Sequence, residues 1–185
     1  MKRPRDSQRH KVYASDRALE RHSHRLEDVR AMDRFVRRVW KSRRVQARYP
    51  RAFEAGGWLG PPGVRDGRGH RNATGGPSLV TMPRWARSTH ILLHELAHTI
   101  CSRHYPRNTI APHGWQFAEC YAYLVKLFMG ADAHDSLRAA YWHNGVRSRP
   151  PRKRAPLSPE RRAELTAQLA AARERRKELE RPAPF

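Results

Sequence analysis

The chain has 185 residues and a mass of 21.5 kDa, the usual size of one domain with tails. It holds 38 Lys and Arg against 17 Asp and Glu, a formal net charge of +21. No apolar run reaches the roughly 18 residues of a membrane span, and the N-terminus lacks the apolar stretch of a signal peptide. Two cysteines are too few for a disulfide framework. These features argue against a membrane or secreted protein and favour a cytoplasmic one.

The positive charge is concentrated at the two ends of the chain. Residues 1–51 carry 17 basic and 6 acidic side chains, residues 145–185 carry 12 and 5, and the middle carries 9 and 6. Basic ends are typical of contact with a polyanion, and nucleic acid is the commonest polyanion in a cytoplasm. No base-reading motif accompanies the charge, so the alternative is that arginine only keeps the chain soluble.

The first half of the chain predicts one helical region and a small sheet. Residues 1–14 are polar and charged and predict a disordered basic tail. From 15 to 47 apolar residues recur at steps of three and four, which predicts one long amphipathic helix or two shorter ones. Residues 54–78 are rich in Gly and Pro, and a hairpin is expected around Asp66-Gly67. The apolar, β-branched residues 78–82 predict a strand.

The second half of the chain predicts helices. Three are expected, over 86–100, 114–129 and 135–142, with a polar loop over 101–112 and the second helix buried. Together, residues 15–146 are predicted to form the folded domain. A Pro/Arg-rich linker is expected over 147–157, followed by an exposed basic helix over 158–181 that begins at Ser158-Pro159.

The segment His94-Glu95-Leu96-Ala97-His98 carries the strongest chemical signal. Positions i and i+4 of a helix lie one above the other, so His94 and His98 can hold one Zn²⁺ between them. Glu95 lies beside them, where a carboxylate can accept a proton from metal-bound water without being a ligand. The segment therefore predicts a catalytic zinc site.

Three residues compete for the position of third ligand. His104 lies six residues after His98, but the spacing that uses such a histidine needs Gly where Cys101 stands. Glu119 lies 21 residues after His98 on a predicted helix. His113 lies 15 residues after His98 and precedes a glycine at a helix start, which allows close approach to the metal helix. We favour His113 and keep Glu119 and His104 as alternatives.

The pair His94–His98 followed by His113-Gly114-x-x-Phe117 resembles the SprT-like zincins, which include proteases that degrade DNA–protein crosslinks. Residues 75–147 are more similar still to a small actinobacterial and phage family of metallohydrolases. This resemblance implies an α+β mini-zincin fold with a small antiparallel or mixed sheet, a zinc ion on the three histidines, and Glu95 as the catalytic base. The C-terminal helix lies outside the shared pattern, and the chain has no CxxC zinc ribbon, so a role in DNA repair is analogy only.

These features predict a zinc-dependent metallopeptidase with a polypeptide substrate. An extended substrate is expected to pair with the strand Leu79–Met82. The runner-up is a peptidase with Glu119 as third ligand, which resembles the repressor-cleaving proteases of mobile elements. The alternatives from other classes are a basic nucleic-acid-binding protein with a structural zinc ion, and a phage assembly protein with an inactive site.

Overall fold

The computed structural model describes residues 4–54, 60–151 and 158–179, and the chain divides into two units, residues 1–150 and 151–185. The described part of the first unit is α+β, mostly helical, with one small mixed sheet. Its elements are α1 (Arg9–Asp16), α2 (Val29–Trp40), α3 (Arg43–Arg48), β1 (Gly63–Asp66), β2 (Thr74–Gly75), β3 (Leu79–Met82), α4 (Thr89–His104), α5 (Trp115–Phe128) and α6 (Ala131–His143). Short 3₁₀ helices lie at Arg17–His22, Pro50–Ala52 and Arg84–Ala86.

The N-terminal segment is ordered where a disordered tail was expected over 1–14. Residues 9–14 form most of α1, which packs against α6 with Val12 fully buried. Ser15 Oγ donates hydrogen bonds to the carbonyl oxygens of Lys11 and Ala140. The prediction is therefore corrected for residues 4–14, while residues 1–3 lie outside the described part. Residues 4–14 are ordered because α1 has one fully buried apolar side chain and is anchored by polar contacts to residues distant in sequence.

Of the two alternatives expected over 15–47, one long helix or two shorter ones, the structure has the second over its later part, as α2 and α3. The chain becomes extended at Ser23, and Arg25 forms an isolated antiparallel bridge with Ser88. Asp28 then begins α2, because its carboxylate accepts a 2.6 Å hydrogen bond from the backbone N–H of Ala31. Four residues of α2 are buried, and α2 contacts β1. The apolar periodicity corresponds to helical segments, but the extended residues around Arg25, which pair with Ser88, prevent one continuous helix.

The sheet has the order β1-β3-β2, with β1 parallel and β2 antiparallel to β3. The expected hairpin around Asp66-Gly67 is therefore wrong, because the chain passes from one side of β3 to the other between β1 and β2. The strand predicted over 78–82 is confirmed as β3 over Leu79–Met82. Three of its four residues are buried, and it takes the central position of the sheet. A central strand has no free edge, so an extended substrate cannot pair with it as expected.

Helices α4 and α5 form the centre of the core. Helix α4 is buried on nearly every side from Leu92 to Cys101 and packs along α5. It continues through His104, so the loop expected over 101–112 begins only after that residue. Helix α5 is buried as predicted, with Phe117 and Tyr121 fully enclosed. Both cysteines are free and buried in this core.

The second unit contains α7 (Pro159–Leu179), which confirms the predicted C-terminal helix over its described residues. Ser158 Oγ accepts a hydrogen bond from the backbone N–H of Arg161 and so caps the helix. Nearly all side chains described in α7 are exposed. Residues 152–157 of the expected linker lie outside the described part. In the described part of the chain, no helix has the length and apolarity needed to span a bilayer.

Because Gly75 has no side chain, β2 can lie directly against α4. A Cβ atom at this position would lie 2.0 Å from the carbonyl oxygen of Glu95, whereas one at Gly63 would meet only ordinary contacts at 3.6 Å and beyond. We expect Gly75→Ala to lower the free energy of unfolding by about 1–3 kcal/mol or more, because backbone atoms must move apart. Gly63→Ala is the matched control in β1. Equal urea unfolding midpoints for the two variants would contradict this close approach.

Candidate metal centre

His94 and His98 lie one turn apart on the buried helix α4. Their ring centroids are 5.0 Å apart, and His94 is buried while His98 is half-buried. The helix that carries them is held in the core on both sides of the pair, by Leu93 and Leu96. The prediction that an i, i+4 pair would face one point is therefore met in the fold.

His113 completes a cluster of three. It precedes Gly114, which begins α5, and its ring centroid lies 5.4 Å from that of His94 and 4.8 Å from that of His98. Potential ligand atoms of the three residues all lie within 4.8 Å of one another. Phe117, one turn into α5, packs against all three rings at 4.3–5.0 Å. The three histidines are thus close enough to bind one metal ion.

Two carboxylates from the N-terminal segment contact the Nδ1 atoms of His113 and His94. Asp6 Oδ2 lies 2.8 Å from His113 Nδ1, and Asp16 Oδ2 lies 3.0 Å from His94 Nδ1 in an ion-pair contact. The contact of Asp16 with His94 has the distance of an ion pair but not the geometry of a hydrogen bond, and the Nε2 atoms of His94 and His113 are buried with no hydrogen-bond partner among the described residues. A buried, unpaired polar atom costs about 1–3 kcal/mol, which a metal ion at this point would offset. Histidine ligands usually donate their second N–H to a carboxylate in this way.

The surroundings of His113 and His94 shift the pKa values of the two rings in opposite directions. Burial lowers the pKa of His113 more than the hydrogen bond that its ring donates to Asp6 raises it, which favours the neutral imidazole that a metal needs. For His94, burial also lowers the pKa, but the charge of Asp16 and its contact with the ring outweigh burial and raise it. A metal must therefore displace a proton more often from His94 than from His113.

Glu95 lies at the edge of the cluster beside a pocket. Burial raises the pKa of its carboxyl group, and a backbone hydrogen bond from Gly75 opposes that shift. A pocket of about 340 Å³ opens beside Glu95 and His94. Its wall includes Tyr13 from α1 and Trp85, whose side chain is 60% exposed. A carboxylate, a potential metal site and a pocket of ligand size thus meet at one place.

The two alternative third ligands face other partners. Because α4 continues through His104, this residue lies about 240° around the helix from His98 and packs edge-on against Tyr49. Glu119 lies about 200° around α5 from Phe117 and pairs with Arg48. Neither residue belongs to the cluster that could hold a metal ion among the described residues.

Sequence reasoning missed the residues that support the histidines. Asp6 and Tyr13 fall in the segment expected to be disordered, and Asp16, at the start of the region expected to be helical, carries no signal of its own. Tyr13 stacks on His94 at 5.5 Å and meets His113 edge-on at 5.2 Å. Asp6 is separated from His113 by 107 residues, and no periodicity in the sequence reports a contact of that range.

Comparison of the chain with protein-family models, curated proteins and solved structures finds no match.

We expect one divalent metal ion per chain. His113→Ala should reduce metal content sharply, because it removes one of three nitrogen ligands, as should His94→Ala or His98→Ala. His104→Ala and Glu119→Gln are controls that should leave metal content unchanged, since both residues face other partners. Elemental analysis of full-length chains purified with added Zn²⁺ checks this. Metal loss in Glu119→Gln with retention in His113→Ala would reverse our ranking of the ligands.

Proposed function

We propose that the chain is a zinc-dependent metallohydrolase of the mini-zincin type, a metallopeptidase related to the SprT-like proteins. The observation that carries this proposal is the cluster of His94, His98 and His113, with a glutamate beside it at a pocket. Three protein ligands leave a fourth position open for water or substrate, as in catalytic rather than structural zinc sites. Three imidazoles also suit zinc among the divalent metals.

Glu95 is the residue to which we assign proton transfer. A bound Zn²⁺ supplies a water of lowered pKa and polarises a carbonyl oxygen. With the metal bound, Glu95 would accept a proton from the attacking water at its carboxylate and deliver it to the leaving amine. Its burial beside Gly75 raises the pKa of the carboxyl group above its usual value, which suits a group that both accepts and donates a proton.

The edge strand β2 is the place where an extended substrate fits. Strand β2 lies at one edge of the sheet, and Gly75 within it touches the backbone of Glu95. Asn72 and Ala73, which immediately precede β2, line the pocket beside the catalytic carboxylate. A peptide paired with β2 would therefore pass Glu95 and His94, which replaces the earlier expectation that it pairs with Leu79–Met82.

Glu95→Gln should retain the fold and one metal ion per chain but lose hydrolysis of an unstructured protein substrate. Gln is nearly isosteric with Glu and keeps the contacts of the helix, but it cannot accept a proton. A general base contributes about 10²–10⁴-fold to the rate, so turnover should fall by that factor. Glu119→Gln on α5 is the matched control and should remain active. Full activity in Glu95→Gln would end the metallopeptidase proposal.

A second function is favoured by a basic groove on the first unit. The groove has a volume of about 520 Å³ and lies between α3, α5, α6 and the segment after α6. Its cationic lining residues are Arg44, Arg48, Lys126, Arg138 and Arg149. Glu119 is the one acidic residue among those that line it, and it pairs with Arg48. We propose that the phosphate backbone of nucleic acid binds here without sequence preference, and that the basic ends strengthen this binding.

The paired substitutions Arg44→Glu and Lys126→Glu should weaken binding of a single-stranded oligonucleotide about tenfold or more. They should also reduce the slope of log K against log salt by about 1.4, because two phosphate contacts are lost and each contributes about 0.7 on a single strand. Arg71→Glu with Arg107→Glu is the control, since it changes the net charge equally at exposed positions outside the groove. Fluorescence anisotropy across a salt series measures both. Equal weakening by the two pairs would show that net charge alone governs binding.

A further inference from the structure

The segment that consists of α1 and the residues just before it contacts the proposed metal ligands at both of its ends. We refer to residues 4–16 as the N-terminal strap. At one end, Asp6 contacts both the ring and the backbone N–H of His113, at 2.8 and 3.2 Å, and Gln8 donates a 3.0 Å hydrogen bond to the His113 carbonyl oxygen. At the other end, Asp16 lies 3.0 Å from the ring of His94. The strap therefore spans the metal centre.

Between its two ends the strap covers the ligand rings. The ring of Tyr13 stacks on that of His94 with an interplanar angle of 15° and meets His113 edge-on. Together with Arg9 and Asp16, Tyr13 also lines the pocket beside Glu95. An ordered strap thus supplies one wall of the pocket as well as the partners of the ligands.

Contacts with the histidines are one of two sets that hold the strap in place. Helix α1 has eight residues, which is too short to be stable alone in water. Val12 is its one fully buried apolar side chain, and Tyr13 remains 43% exposed. The other set joins the strap to α6 and the residues after it, through hydrogen bonds between Ser15 and Ala140, Asn144 and Ser15, Lys11 and Gly145, and Gln8 and Arg147. The order of the strap depends on both sets, so loss of its contacts with the two histidines should loosen it.

We propose that metal binding and closure of the strap stabilise each other. A hydrogen bond from Nδ1–H of His113 to Asp6 leaves the lone pair of Nε2 directed toward a metal, and the contact of Asp16 with His94 favours the same tautomer. A metal on the Nε2 atoms in turn holds both rings in the orientation that the carboxylates contact. By thermodynamic linkage, each event strengthens the other by the same factor. Asp6 and Asp16 are thus positioning residues, and metal loading builds the wall of the pocket. This inference rests on the metal-binding part of the proposed function but not on catalysis.

Hydrogen exchange on the full-length chain tests the first half of the linkage. With Zn²⁺ bound, amides of α1 should be protected, and removal of zinc with a chelator should speed their exchange about tenfold or more. Amides of α5 should keep their protection, because that helix is enclosed by the core. If α1 keeps its protection after zinc removal, or if α1 and α5 lose it together, a metal-coupled strap is overturned.

The reciprocal half is tested with Asp6→Asn and Asp16→Asn. Each should weaken Zn²⁺ binding about 10–100-fold in competition with a chromogenic chelator, because an amide orients the ring less well than a carboxylate. Each should also shift the visible spectrum of the Co²⁺-loaded chain, a change that loss of stability elsewhere does not produce. Asp33→Asn, which removes an exposed pair with Arg37 on α2, is the control and should bind zinc as wild type does.

The outcomes separate this inference from the proposed function. If the wild-type chain binds no zinc, both the proposed function and the proposal of a metal-coupled strap are overturned. If the wild type binds zinc and both aspartate variants bind it equally tightly, the strap inference alone is overturned. If the wild type binds zinc but hydrolyses nothing, weaker zinc binding in the aspartate variants still supports the strap.

Discussion

Three imidazole rings lie side by side inside the protein, and every nitrogen that is buried there needs a partner. For His113 and His94, carboxylates from residues 6 and 16 contact the outer nitrogens, while the inner ones have no protein partner among the described residues. The packing of α4 against α5 fixes the distance between these rings, and Phe117 fills the space around them. The core therefore sets the spacing of the rings, and the Nε2 atoms of His94 and His113 lie where a metal ion could accept their lone pairs.

Helix α5 separates two chemically different surfaces of the first unit. Phe117 and Tyr121, four residues apart, lie on the face that contacts the histidines. Glu119 and Lys126, seven residues apart, lie on the face that borders the basic groove. Because these faces point in nearly opposite directions, a polyanion held in the groove would not compete directly with a substrate for the pocket. Hydrolysis and nucleic-acid binding are thus compatible in one chain.

The parts of the site that could be predicted from the sequence are those fixed by local geometry. The pairing of His94 with His98 follows from the pitch of a helix, and the candidacy of His113 followed from its position before a glycine and a buried helix. Asp6 could not be predicted, because its partner is 107 residues away and a lone aspartate in a polar segment carries no pattern. The order of the strands was also mispredicted, since turn residues near Asp66 indicate a reversal but not which strand becomes the neighbour. The central place of β3 agrees with its apolar composition, yet composition alone did not exclude a sheet edge.

The long sequence separation between Asp6 and His113 also bears on the order in which the protein is made. Asp6 leaves the ribosome 107 residues before His113, and it has no partner at this site until the chain beyond His113 has emerged and α5 has packed against α4. While the 15 residues from His98 to His113 are being made, His94 and His98 are present without the third histidine. The centre is thus completed late, when the last of these elements reaches its place, and the nascent chain offers only a two-histidine site before then.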